Sequence, residues 1–137
     1  MAGAPSRTEL ESLQTLFRVG SGAGLTDGQL LERFTSGPEE VASAAFAALV
    51  ERHGATVRRV CRQILGDSHD ADDAAQATFL ILARRAASVR RRESVASWLF
   101  GVAVRVSRRA RAEAARRRTH ERRKGAMMAQ GHHHQHG

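Results

Sequence analysis

Between Phe46 and Ile64 the chain repeats apolar side chains at helical spacing: Phe46, Leu49, Val50, Val57, Val60, Cys61 and Ile64, with His53 in the same series. Steps of three and four put these residues on one face of an α-helix, and such a face has to be buried against other elements. Gly54 weakens this helix by about 1 kcal/mol relative to Ala, and Gly66 ends it. Shorter series surround it. Thr26 or Asp27 can cap a helix carrying Leu30, Leu31 and Phe34, which Ser36-Gly37-Pro38 ends. Asp67 or Ser68 caps another, with Ala75, Phe79, Leu82 and Ala86 as the buried stripe. Asp73, Gln76, Ala77 and Leu80 form the exposed stripe beside it. A further helix starts near Ser94 or Val95 and carries Trp98, Leu99, Val102 and Val106 on one side. An Ala-rich, Arg-rich chain with two prolines favours helix over sheet. The expected fold is all-α, a small helical bundle with disordered extensions at both ends.

Three segments are expected. Residues 1–24 form an N-terminal extension, with a short amphipathic helix at Thr8–Val19 and a Gly-rich linker at Gly20–Gly24. Residues 25–118 form the helical domain. Residues 119–137 form a tail, basic and then His-rich, which lacks apolar periodicity and reads as disordered. No internal repeat is present.

Charge divides the chain sharply. Residues 1–83 carry seven Lys/Arg against eleven Asp/Glu, a net −4. Residues 84–124 carry 15 against three, a net +12. The acidic side culminates in the helix start at Asp67, Asp70, Asp72 and Asp73. The basic side opens at Arg84, passes through a loop at Ser88–Ser94 containing Arg90, Arg91 and Arg92, and runs on to Lys124. This asymmetry points to two partners, one of them a polyanion such as nucleic acid.

Several classes are excluded or disfavoured. One cysteine, Cys61, rules out an internal disulfide and suits a reducing cytoplasm. No apolar run is long enough to span a membrane, and the N-terminus lacks the apolar core of a signal peptide. No Gly-rich phosphate loop, nucleophile elbow or paired-carboxylate arrangement is present, so neither catalytic residues nor a cofactor is expected. Asp72 and Asp73 are neighbours on a helix and diverge. The terminal histidines lack the cysteine partners and spacing of a structural zinc site, and no metal is expected.

Four passages in order resemble region 2 of the extracytoplasmic-function (ECF) sigma factors, a branch of the sigma-70 family, and are especially similar to those of planctomycete type. They are Asp27–Phe34, Ala45–His53, Asp70-Ala71-Asp72-Asp73-Ala74-Ala75-Gln76-Ala77-Thr78-Phe79-Leu80, and Ser97-Trp98-Leu99-Phe100-Gly101-Val102-Ala103. The resemblance implies a transcription initiation factor that binds core RNA polymerase, recognises the −10 promoter element and helps to melt it. It implies that Asp73, Gln76 and Leu80 dock on the clamp helices of the largest polymerase subunit. It also implies that Arg90, Arg91, Arg92, Trp98, Arg105, Arg108, Arg109 and Arg111 face promoter DNA. An anti-sigma factor is a further partner the family brings with it.

Two departures bear on these roles. Ala77 stands where the family usually has an acidic residue, and Arg105 where it often has Asn. No stretch resembles region 4, the helix-turn-helix part that reads the −35 element. A truncated product, a frame-shifted end and an isolated region 2 all fit this.

Plainer readings stand beside these. The acidic helix start also stabilises the helix dipole, by about 0.3–1 kcal/mol per charge. A lone Trp on an apolar helix side usually packs in a core. His53 packs at a helix surface, and Cys61 acts as a small hydrophobe. The rival functions are a non-specific basic helical DNA-binding protein and a non-functional sigma fragment.

Overall fold

A computed structural model describes residues 6–8, 24–89 and 94–135, with side chains as far as Ala129. The expected helix Thr8–Val19 (beyond Thr8 itself) and the loop residues Arg90, Arg91 and Arg92 lie outside the described residues, as do the side chains of the terminal histidines. Among the described residues four helices are bounded: α1 Asp27–Ser36, α2 Glu39–Leu65, α3 Ser68–Val89 and α4 Val95–Gln135. The expected all-α bundle is what the chain forms.

Local chemistry sets most of the helix ends. At α1 the Thr26 hydroxyl accepts from the Gln29 N–H at 3.1 Å, and the Gln29 side chain accepts from the Thr26 N–H at 2.8 Å. This reciprocal box satisfies two backbone donors that the first turn leaves free, and it makes Thr26 rather than Asp27 the cap. Helix α2 follows Pro38, with Glu39 and Glu40 in its positive first turn. It ends where Gly66 turns left-handed at φ 75° and donates its N–H to the Arg62 carbonyl. Asp67 caps α3 by accepting from the N–H groups of His69 and Asp70 at 2.8 and 3.0 Å. The Asp70 and His69 amides hold this carboxyl below its ordinary pKa. Ser94 caps α4 by accepting from the Ser97 N–H at 3.1 Å.

Helix α2 packs against each of the other three helices. Its buried Ala45, Ala48, Leu49, Val57, Val60 and Cys61 meet Leu30 and Leu31 of α1. From α3 come Ala71, Ala74, Ala75, Phe79, Leu82, Ala86 and Val89, and from α4 Val95, Leu99 and Ala103. Each fully buried Leu contributes about 1.5–3 kcal/mol relative to exposure. Phe34 and Phe46 extend the core at one edge, with ring centroids 5.1 Å apart. Many of the α3 contacts are alanines, so the helices approach closely and single large residues such as Leu82 carry much of the packing. Thr78, fully buried among them, donates its hydroxyl to the Ala74 carbonyl at 2.8 Å, which removes the penalty of an unpaired buried polar group.

Three sequence expectations need correction. Helix α3 runs through Ser88 and Val89, so these two residues are helical rather than part of the expected basic loop. In α4, Trp98 and Val106 are half-buried, while Val95, Leu99, Val102, Ala103 and Ser107 form the buried side. The tail from residue 119 continues α4 as helix to Gln135 rather than leaving it. Ala, Arg, Glu and Met are good helix formers, and no proline interrupts them. Gly125 costs about 1 kcal/mol there without ending the helix. Every described side chain from Ala115 to Ala129 is exposed, so this segment is helical by propensity and not by packing.

Candidate functional site

Helices α3 and α4 run antiparallel. The start of α3 faces Val106, Ala110, Ala114 and Arg117, whereas its last turns face Trp98, Val102, Arg105 and Arg109. Three surface features result, all bordered by α3.

The first is a groove between α2 and α3. Phe46, Val50, Gly54, Ala75, Phe79 and Leu80 give it an apolar lining, and Gln76 and the Arg58–Asp72 pair give it polar edges. Arg58 Nε lies 3.2 Å from Asp72 Oδ1, an ion pair without hydrogen-bond alignment. Leu80 is 62% exposed, which is unusual for a leucine placed centrally on a packed helix. The buried stripe expected for α3 is present, and of the expected exposed stripe Asp73, Gln76 and Leu80 are exposed while Ala77 is half-buried.

Asp73 does not share this groove. It borders the second feature, a cleft on the α4 side, with Leu65, Asp70, Ala77 and Arg117. The three residues expected to act together therefore straddle the outer ridge of α3, Gln76 and Leu80 on one flank and Asp73 on the other.

The third feature lies at the end of α3. Arg84, Arg85, Arg105 and Arg109 surround Trp98, with Ile81, Val102 and Val106 behind. Among the described residues, no acidic side chain lines this cleft. At its edge, Arg109 Nε lies 3.5 Å from the Glu113 carboxylate. Trp98 packs against the core yet keeps part of its ring at the cleft surface. Guanidinium groups bind phosphate oxygens and an indole offers a face for stacking, so the arrangement suits a nucleic-acid strand. Of the expected DNA-facing residues, Trp98, Arg105 and Arg109 come together here. Arg108 and Arg111 are exposed but outside the cleft. Arg84 and Arg85 were not among the expected site residues, and they join the site only because the antiparallel crossing brings them opposite Arg105 and Arg109.

Away from these surfaces, Asp27 joins α1 to α2. It accepts from Arg52 Nη1 at 2.7 Å and pairs with His53 Nε2 at 2.9 Å. An ionised carboxylate can only accept, so the imidazole nitrogen is the donor. Arg52 also donates to the Leu25 carbonyl at 2.9 Å. His53 thus has a specific partner in place of general surface packing.

Residues 49–118, 70 of the 137 in the chain, match the model of the Sigma-70 region 2 family. The chain belongs to that family. No curated protein and no solved structure matches it significantly. As a sigma-70 region 2 protein it is a transcription initiation factor acting in promoter recognition, with core RNA polymerase and promoter DNA as partners. The matched residues begin within α2 and end within α4, and they include the Trp98 cleft and all of α3. The sigma region 2 thus carries its acidic and its basic surface on one shared helix. Among the described residues, no helix is long and apolar enough to cross a membrane.

Proposed function

We propose that this chain is an ECF-type sigma factor, working in the cytoplasm, that docks on core polymerase through the outer ridge of α3 and engages the −10 element through the Trp98 cleft. The observation that carries this reading is the convergence of Arg84, Arg85, Arg105 and Arg109 on Trp98. Four cations around one indole provide phosphate contacts on both sides of a face on which an unstacked base can lie. Energy from those contacts offsets the unstacking of the first base pairs, which costs a few kcal/mol.

Docking uses different chemistry. Gln76 and Asp73 accept hydrogen bonds from basic side chains of a partner helix, and Leu80 packs against its apolar surface. Asp73 and Gln76 stand on opposite flanks, so the partner helix lies across the ridge of α3 and does not sink into the α2–α3 groove. With Ala77 on that ridge, the Asp73 contact carries the charge recognition without acidic help from its neighbour. Arg90, Arg91 and Arg92 would extend the DNA surface from the α3–α4 connection.

The test is binding of the full chain to bacterial core RNA polymerase at moderate salt, beside the double variant Asp73→Ala/Gln76→Ala. Loss of about tenfold or more in affinity, the loss of one charged hydrogen bond, with DNA binding unchanged, supports the reading. Equal polymerase binding by both proteins removes the docking ridge from it. A chain that binds DNA and ignores polymerase altogether is the non-specific DNA-binding alternative.

A further inference from the structure

Helix α4 has its last partly buried residue at Ala114, and beyond this point its described side chains are exposed, with Arg117 alone of them lining the cleft against the start of α3. At 3.6 residues per turn, Trp98, Arg105, Arg109, Arg116 and Arg123 fall within about 40° of one another around the helix axis. The side of α4 that lines the Trp98 cleft therefore continues as a row of arginines along the free helix. Arg105 to Arg123 covers about 27 Å at 1.5 Å per residue. The Arg109–Glu113 pair interrupts the row once. From Arg116 to Lys124 the chain holds six basic residues against one acidic.

We propose that this row is a sequence-independent grip on double-stranded DNA, holding the duplex that adjoins the strand bound in the cleft. The chemistry of the free helix selects this occupant. Charge surrounds it on every side from Arg116 to Lys124, so it lacks the broad apolar face that a membrane surface or a helix-binding groove requires. Residues 107–129 contain no Phe, Tyr or Trp, so it has no platform for the bases of a single strand. What remains is a dense, regularly spaced cation row. Duplex DNA, with one phosphate charge per about 1.7 Å of axis, is its densest common counterpart. The two parts of α4 then divide the labour: the cleft with its indole takes unpaired nucleotides, and the free helix takes phosphates of paired ones. The direction of the grip rests on the cleft being a DNA site, although its existence does not.

The test uses the full chain, a fluorescent 20-base-pair duplex of arbitrary sequence, and salt from 50 to 200 mM. Arg116→Gln/Arg123→Gln is compared with Arg118→Gln/Arg122→Gln, which removes the same charge from the opposite side of the same helix. Far-UV circular dichroism checks that both variants keep the helix. The expected result is a log–log salt slope shallower by about 1.8 for the first variant, two phosphate contacts at 0.9 each, and roughly 10- to 60-fold weaker binding at 0.1 M salt. The second variant is expected to lose less than half of that slope. Equal losses in the two variants overturn the proposal, because net charge alone then explains binding. It also falls if Arg116→Gln/Arg123→Gln leaves duplex binding intact while abolishing binding to phosphatidylglycerol vesicles or to a 20-nucleotide single strand. Arg84→Gln/Arg85→Gln, measured on the single strand, reads the cleft separately. Its failure to weaken that binding counts against the cleft, while the grip is still decided by the paired variants on the duplex.

Discussion

Asp27 shows what one side chain adds that local pattern does not reveal. A short acidic residue just before an apolar series reads as a helix cap, and Thr26 takes that role instead. Asp27 is then free to turn toward α2 and hold Arg52 and His53, residues 25 and 26 positions away. Burial alone raises its pKa, but the hydrogen bonds from His53 and Arg52 outweigh burial and hold the carboxyl below its ordinary value of 3.8. A depressed folded-state pKa means that this stabilisation is complete above the unfolded value and is lost as pH falls through the folded one. Thermal melts from pH 7 down to pH 2.5 are expected to show Asp27→Asn less stable at neutral pH by about 1 kcal/mol, a modest figure because both partners are partly solvated. Below pH 3.8 the gap between variant and parent is expected to close. A gap that stays constant with pH would show that the carboxylate charge is not what stabilises the α1–α2 contact. In the core, Leu82→Ala is expected to cost about 2–5 kcal/mol, measurable as a shift in denaturant midpoint, because Leu82 is fully buried among small side chains that cannot collapse into the space.

At the scale of elements, the two glycines of the α2 region make opposite demands. Gly54 lies mid-helix, and an added Cβ there would meet nothing within 4 Å. Gly66 ends the helix in the left-handed region. Gly54→Ala is expected to raise stability by about 1 kcal/mol. Gly66→Ala is expected to lower it by about 1–2 kcal/mol. Denaturation of the two variants against the parent checks both signs in one experiment. Gly54 also lines the α2–α3 groove, and because the proposed docking runs over the ridge of α3 and not into that groove, Gly54→Ala is expected to leave polymerase binding unchanged.

Where elements were readable from the chain, the reason was periodicity. The face from Phe46 to Ile64 and the stripe Ala75, Phe79, Leu82, Ala86 recur every three or four residues, and burial enforces that recurrence. The last helix was read too short because beyond Ala114 nothing is buried and no apolar period exists. There the helix persists on the propensities of Ala and Arg, in residues that equally compose a charged tail. Arg84 and Arg85 were hidden for another reason. Their place in the cleft depends on the antiparallel crossing of α3 and α4, and nothing in their local sequence distinguishes them from the arginines that follow.

The whole molecule turns on α3, which carries the proposed docking ridge near its middle and borders the proposed DNA cleft at its end. Gln76 and Arg84 are eight residues apart, about 12 Å along the helix, and the segment between them is fixed by Phe79 and Leu82 in the core. At that separation, with no shared partner, substitutions are expected to add independently to within about 0.5 kcal/mol. Asp73→Ala/Gln76→Ala is therefore expected to weaken polymerase binding and leave DNA affinity unchanged, and Arg84→Gln/Arg85→Gln to do the reverse. In promoter opening by the assembled polymerase, the combined variant is expected to lose the product of the two separate factors. A loss clearly smaller or larger than that product would mean that α3 transmits docking to the cleft. The candidate route would then be the α3–α4 cleft that Asp73 and Arg117 both line. Repeating the cycle with Arg117→Gln decides it: coupling that vanishes in this background assigns the transmission to that cleft, and coupling that persists assigns it to the packed core of α3 itself.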